Sequence, residues 1–241
     1  MTMEKKYKLT DEAINVGGKK LCRIEALKDF GDVKKGDKGG FIEYEHNLSH
    51  YGNSWVCGNA RVCDDAMVYG DAWVYGNARV CDDAMVCGNA RVCDDAMVYG
   101  DAWVYGNARV YDDAMVCGNA RVYDDAMVYG NARVYDDARV YDDARVCGNA
   151  RVYGDAMVCG DARVCDDAKI ENKSDYIVFK NWWSSGRFFT WTRSNDMWKV
   201  GCFSGTGEEL IKKAYQDSEK SGREYERIVK YVEEIKKDNG R

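Results

Sequence analysis

The 241-residue sequence contains no proline, so a proline-rich linker is excluded, and it has only two histidines, His46 and His50. No apolar run approaches the roughly 20 residues that a membrane-crossing helix needs. The first residues, MTMEKKYKLTDEA, lack the apolar core of an export leader, which predicts a cytoplasmic protein without a membrane partner. An excess of positive charge is also missing. The chain carries 35 basic and 41 acidic residues, a net of −6, a poor basis for general nucleic-acid binding, which rests on neutralising phosphates. Eleven cysteines are present without a C-x-x-C pair, so the usual zinc signal is absent and no metal or cofactor is expected.

What is there in abundance is a repeat. From Gly52 to Glu171 the chain reads as 20 consecutive hexapeptides of consensus [GD]-[ND]-A-[RMW]-V-[YC], with no insertion. Residues 58–87 and 88–117 are identical except that Cys81 becomes Tyr111. Near-fixed Ala and Val, two residues apart, argue against low-complexity disorder. In A-R-V-Y, Ala and Val point to one face of a short strand, and Arg and Tyr to the other. The Gly-Asn or Asp-Asp pair that follows is turn chemistry. A four-residue strand and a two-residue corner, repeated, make a coil.

This pattern resembles the hexapeptide-repeat proteins. The aliphatic-to-small spacing of four is met by Val56 and Ala60 and by nearly every later pair, although Tyr or Cys stands where that family often has Gly. The resemblance implies a mostly β protein: a left-handed parallel β-helix with three hexapeptides per coil over residues 46–171. Twenty hexapeptides would make nearly seven coils, roughly 30 Å tall. Exposed strand edges need covers. Residues 1–45 read as an N-terminal β cap, with strands at KYKL and LCRIEAL around a Gly17-Gly18 turn. That region, with NLSHYGNSWV, resembles the YdcK-type proteins, which are grouped with transferases by name only. Residues 172–241 read as an α+β module of three strands and two helices, with capping-box spacing at Thr206/Glu209 and Ser221/Glu224. A stripe of Tyr225, Ile228, Val232 and Ile235 marks the last helix. This tail resembles the tail module of hexapeptide-repeat proteins from gut bacteria and their phages.

Charge is unevenly spread. The repeat holds 21 acidic and 11 basic residues, while the last 70 hold 11 and 14. Under an 18-residue coil, Asp94-Asp95 stacks on Asp112-Asp113, and Asp124-Asp125 on Asp142-Asp143. Such clusters are calcium-like, but they lack varied ligand spacing and read as solvated corners balanced by Arg. Trp55, Trp73, Arg91 and Arg109 share one column, and Trp103, Arg121 and Arg139 another. Columns of this kind suggest a contact surface. The resembled family usually trimerises along its axis, so a homo-oligomer, with a trimer favoured, is expected. Cys63 and Cys81 should be stacked neighbours, as should Cys147 and Cys165, and the cytoplasmic reading predicts free thiols. His46 and His50 lie in a degenerate hexapeptide at the first coil, with no interrupting loop nearby, and read as hydrogen-bonded edge residues.

The tail is the chemically richest segment. Strand alternation predicts Arg187, Phe189, Trp191 and Arg193 on one face, with Lys180 and Trp183 close by. Aromatic faces beside cations are how proteins stack on bases and hold phosphates. The bland alternative is that these aromatics are the core of a small domain. Gly205 and Gly207 precede a helix but lack a third glycine, and Glu208 and Glu209 would repel an anion. Ligand-binding candidates are therefore Lys180, Trp183, Arg187, Trp191 and Arg193, with no catalytic residue. The expected function is a non-catalytic oligomeric binding protein, of the phage type that sequesters a small nucleotide-like signal. A structural assembly protein and a hexapeptide acyl- or nucleotidyl-transferase are the alternatives.

Overall fold

The computed structural model describes residues 4–238. It is mostly β: a β-solenoid of about seven turns, with antiparallel strands at its N-terminus and a sheet with two helices at its C-terminus. The twenty rungs are two residues long, from Trp55–Val56 to Lys169–Ile170, shorter than the four-residue strands expected. The residue after Val already leads into the corner, yet its N–H still joins the ladder, as when Cys57 donates to the Val74 carbonyl at 2.9 Å. Rungs 18 residues apart pair in parallel, Trp55 with Trp73 and Arg91 with Arg109, so three hexapeptides make one coil.

The interior is uniform because the sequence is. Every repeat Ala from Ala60 to Ala168 and every repeat Val from Val56 to Val164 is fully buried. Two small side chains per rung fill a thin prism, and the backbone ladder runs around them. Each corner needs one residue with positive φ. Glycine supplies it at Gly52, Gly58 and Gly70, and the first Asp of each Asp-Asp pair, from Asp64 to Asp166, supplies it at φ 57–60°. Asp tolerates this conformation because its side chain finds a local partner. Asp82 accepts the Gly100 N–H at 2.9 Å, Asp112 that of Gly130 at 3.0 Å and Asp142 that of Gly160 at 3.0 Å. These carboxylates are balanced by backbone N–H groups of the next coil, not by Arg as the sequence suggested. The second corner position adds an amide ladder, with Asn59 donating to Asn77 and Asn77 to Asp95.

At the N-terminal end, Tyr7–Val16 and Lys19–Ala26 form a hairpin, and Lys38–Ile42 lies beside it. This third strand also pairs in parallel with Arg61–Val62, so the cap continues one solenoid sheet. Gly39 and Gly40 permit the close approach: a Cβ at Gly39 would meet the Val56 carbonyl at 2.6 Å, and one at Gly40 the Ala60 carbonyl at 2.6 Å. Trp55 is buried beneath the cap, edge-on to Phe30, so it is not part of an exposed aromatic column. Lys6 is buried too, and its ammonium donates to the Ser54 carbonyl at 2.8 Å.

The C-terminal module has four antiparallel strands where three were expected: Tyr176–Lys180, Phe188–Thr192, Met197–Val200 and Phe203–Gly205. Helix Gly207–Asp217 starts at the Thr206/Glu209 capping box. Helix Glu219–Asp238 begins before Ser221, whose N–H is taken by the Ser218 hydroxyl. Ser218 competes successfully for the cap because it follows directly on the end of the first helix. The module closes the solenoid edge. The Arg163 N–H donates to Thr190 Oγ1 at 2.8 Å and the Lys169 N–H to Ser194 Oγ at 2.6 Å. Unpaired donors of the last coil are thus satisfied by side chains. Among the described residues no helix is long and apolar enough to cross a membrane.

Candidate functional site

The expected cluster on the second tail strand does not assemble. Trp191 is fully buried, its indole N–H held by Asp196 at 2.8 Å. Trp183 is also buried, edge-on to Tyr225 at 4.9 Å. Together with Phe189, Trp198, Leu210 and Val229 they form the core between sheet and helices. A small module with few aliphatics has no other apolar mass to bury, so neither indole offers a stacking face. Lys180 is exposed and lies over the Phe188 ring at 5.4 Å. Arg193 is half-buried with its Nε unpartnered, at the opposite end of the strand from Arg187. Of the five candidates, Arg187 lines a cleft at the junction of shaft and tail.

That cleft lies between the last coils and the tail, with a volume of about 310 Å³, and is lined by Asp143, Arg145, Asp161, Arg163, Arg187 and Phe188. Arg145 and Arg163 are neighbours on paired rungs. Two residues along the same rungs, Cys147 and Cys165 form a disulfide with Cα atoms 4.5 Å apart. This corrects the expectation of free thiols throughout: the 18-residue coil sets the two cysteines directly over one another, within disulfide reach. The cross-link fixes the spacing of the two guanidinium-bearing rungs. Arg163 also donates to the Gly201 carbonyl at 3.5 Å, which ties it to the tail. Arg187 follows the Ser184–Gly186 turn, which is anchored by Asn181 accepting from the Ser184 N–H at 2.9 Å.

Three guanidinium groups therefore face one cleft with an aromatic edge and two carboxylates. None of the three makes a salt bridge among the described residues. Guanidinium forks suit phosphate oxygens, Phe188 offers a ring, and Asp143 and Asp161 can accept from donor groups of a heterocycle. A second cleft, about 330 Å³, lies under the cap between Asp32, Cys57, Trp73, Tyr75 and Arg91, with a single cation. The shaft residues of the junction cleft were not singled out by sequence. A signal was present, since Arg145 and Arg163 are 18 apart, but nothing in the sequence says where the tail lands.

His46 and His50 do not line either cleft. His50 Nδ1 accepts the Lys6 N–H at 3.1 Å, its Nε2 meets Glu45 at 2.9 Å, and its ring stacks on Tyr7. His46 Nε2 lies 3.2 Å from the Asp64 carbonyl. Both serve the cap. Tyrosines of the repeat stack in ladders, Tyr105 on Tyr123 and Tyr123 on Tyr141 with centroids 4.9 and 5.0 Å apart. The sequence signal for these was the same 18-residue recurrence.

The repeat itself is similar to a known solenoid repeat. The sequence profile of the YdcK beta solenoid repeat matches residues 60–76 and, in seven overlapping copies, residues 90–166. Over those residues the chain carries a solenoid repeat similar to that one. A solved Bacillus cereus structure, described as a presumptive acetyltransferase, is similar at 10% identity with a TM-score of 0.28, covering 56% of this chain and 79% of that one. No curated relative matches the chain.

Proposed function

We propose that the protein is a non-catalytic, self-associating binding protein that holds a small nucleotide-like anion at the junction of shaft and tail, in the manner of phage proteins that sequester host signals. The observation that carries this reading is the convergence of Arg145, Arg163 and Arg187 with Phe188 in one cleft, where three guanidinium groups outnumber two carboxylates. Self-association follows from the same shortage of partners. Arg133 and Arg151 also stack as like charges on adjacent rungs. Like charges directly opposite destabilise a sheet. The Asp columns at the corners of a neighbouring copy are well suited to offset them. A homotrimer brings three shafts side by side, and its dissociation should rise with salt.

Isothermal titration of the full chain with mononucleotides and cyclic dinucleotides tests the ligand. Arg163→Ala or Arg187→Ala should weaken binding by about tenfold or more, the worth of a charge-assisted pair. Arg187→Ala should change folding stability by less than about 1 kcal/mol, since the residue is exposed. Arg193→Ala, at the far end of its strand, should leave affinity unchanged. If no nucleotide binds and mass spectrometry finds no small molecule retained from a host lysate, the ligand reading fails and the shaft is a structural spacer.

A further inference from the structure

Nine of the eleven cysteines sit at the last position of a hexapeptide. Most face a tyrosine one coil away, as Cys93 faces Tyr75 and Tyr111. Cysteine meets cysteine at two places only: Cys147 with Cys165, and Cys63 with Cys81. The first pair is a disulfide joining two coils near the C-terminal end of the shaft. The second joins the first coils at the N-terminal end, and its two Sγ atoms are 2.7 Å apart in hydrogen-bond contact. Their rungs, Arg61–Val62 and Arg79–Val80, pair in parallel like those of the linked cysteines. The relation that permits one disulfide is repeated in the other.

We propose that Cys63 and Cys81 are a reversible disulfide site, the N-terminal counterpart of Cys147–Cys165, and that its oxidation staples the first two coils beneath the cap. The surroundings give the pair an order of reaction. Cys63 is buried against Leu21 and Phe41 of the cap, whereas Cys81 is half-buried at the edge of that cluster. Asp64, beside Cys63, is ion-paired with Lys19 at the hairpin tip. The Cys63 S–H donates to the Cys81 sulfur, which lowers the Cys81 pKa against the opposing pull of burial, Asp64 and Asp82. Cys63 is pushed up by the same contact and by burial. Cys81 is thus the first nucleophile.

The oxidant is a low-molecular-weight disulfide of the glutathione class. The Cys81 thiolate attacks one of its sulfurs, forms a mixed disulfide and expels one small thiolate. That thiolate takes the Cys63 proton. The Cys63 sulfur then attacks the Cys81 sulfur and expels the second small thiolate, which leaves as a thiol after gaining the proton that Cys81 had released to water. Two protein thiols become one disulfide, and one small disulfide becomes two thiols.

The test uses the full chain equilibrated with oxidised glutathione, then alkylated in denaturant without reductant. The reactive thiols should fall by two from nine, and a non-reducing tryptic digest should yield residues 62–79 linked to residues 80–91. The tryptic peptide 62–79 is identical in sequence to 92–109, so the digest is done on Cys93→Ser protein, which shifts the twin by mass. The linked peptide should vanish in Cys63→Ser and in Cys81→Ser. Amide exchange at rungs 61–62 and 79–80 should slow by about tenfold or more on oxidation and recover with reductant. Both thiols remaining alkylatable at high oxidant overturns the proposal. Stoichiometric zinc protecting both thiols, with Asp64 as third ligand, overturns it in favour of a metal site. If the serine variants misfold, the thiol count and exchange data on Cys93→Ser protein still decide.

Discussion

Single residues carry unusual weight in a core only two small side chains deep. Val104 is fully buried, with Val86 and Val122 on the rungs either side. Val104→Asp should destabilise by more than about 3 kcal/mol, because no neighbour can pair the charge, and a urea melt would show it as a large drop in midpoint. Lys6 is the opposite case, a charge the fold tolerates in place. Burial lowers its pKa to about 8, against a partial offset from Asp71. Between about pH 8 and pH 10.5 the unfolded chain therefore binds more protons at this residue than the native one does. Stability should rise with pH across that window, by up to about 3 kcal/mol, while below pH 8 the full cost of burying the charge is present. Melts of native protein and Lys6→Met at pH 7 and pH 10 isolate the effect; a pH response unchanged by the substitution contradicts it.

At the scale of elements, the corner is the unit that decides what is tolerated. Gly76 has φ +72°, and a Cβ there would sit 2.7 Å from the Asp94 nitrogen, whereas Gly160, at φ +62°, has open space around it. Gly160→Ala should lose only about 1 kcal/mol for its backbone angle. Gly76→Ala should lose more, about 2–4 kcal/mol, because the coils must part as well; thermal unfolding of the two variants compares them. Reducing Cys147–Cys165 should destabilise the last coils by about 2–4 kcal/mol, seen as a lower urea midpoint in reductant that Cys147→Ser protein does not share. Rungs, corners and stacked cysteines were legible in the sequence because each depends only on position modulo 18. The junction cleft was not, since Arg187 meets Arg145 and Arg163 through the placement of the tail, which no period encodes. Trp183 and Trp191 were misread as a binding face because alternation along a strand says which side chains agree, not which side the helices cover. The same blindness hid the roles of Thr190 and Ser194, whose hydroxyl groups look unremarkable until the last coil is seen to need acceptors.

For the whole molecule, the two ends do different work on one shaft. Removing residues 172–241 takes away the acceptors for the Arg163 and Lys169 N–H groups. The shortened shaft should remain folded, since its core lies within the coils, but should exchange faster at its last rungs and associate end to end through the bared edge. Circular dichroism with sedimentation checks both outcomes, and collapse of the β signal would show that the tail is needed for folding. The identical 30-residue blocks span one full coil and two thirds of the next, because a coil takes 18 residues. The shaft is in this sense a screw thread, and the number of hexapeptides sets the angle at which the tail is clocked against the cap. Gaining or losing one hexapeptide keeps every Ala and Val in register yet turns the tail by a third of a revolution, onto a face with a different column of side chains. Only steps of three hexapeptides return it to the same azimuth. Recombination between the two blocks would therefore re-aim the tail while leaving the fold intact.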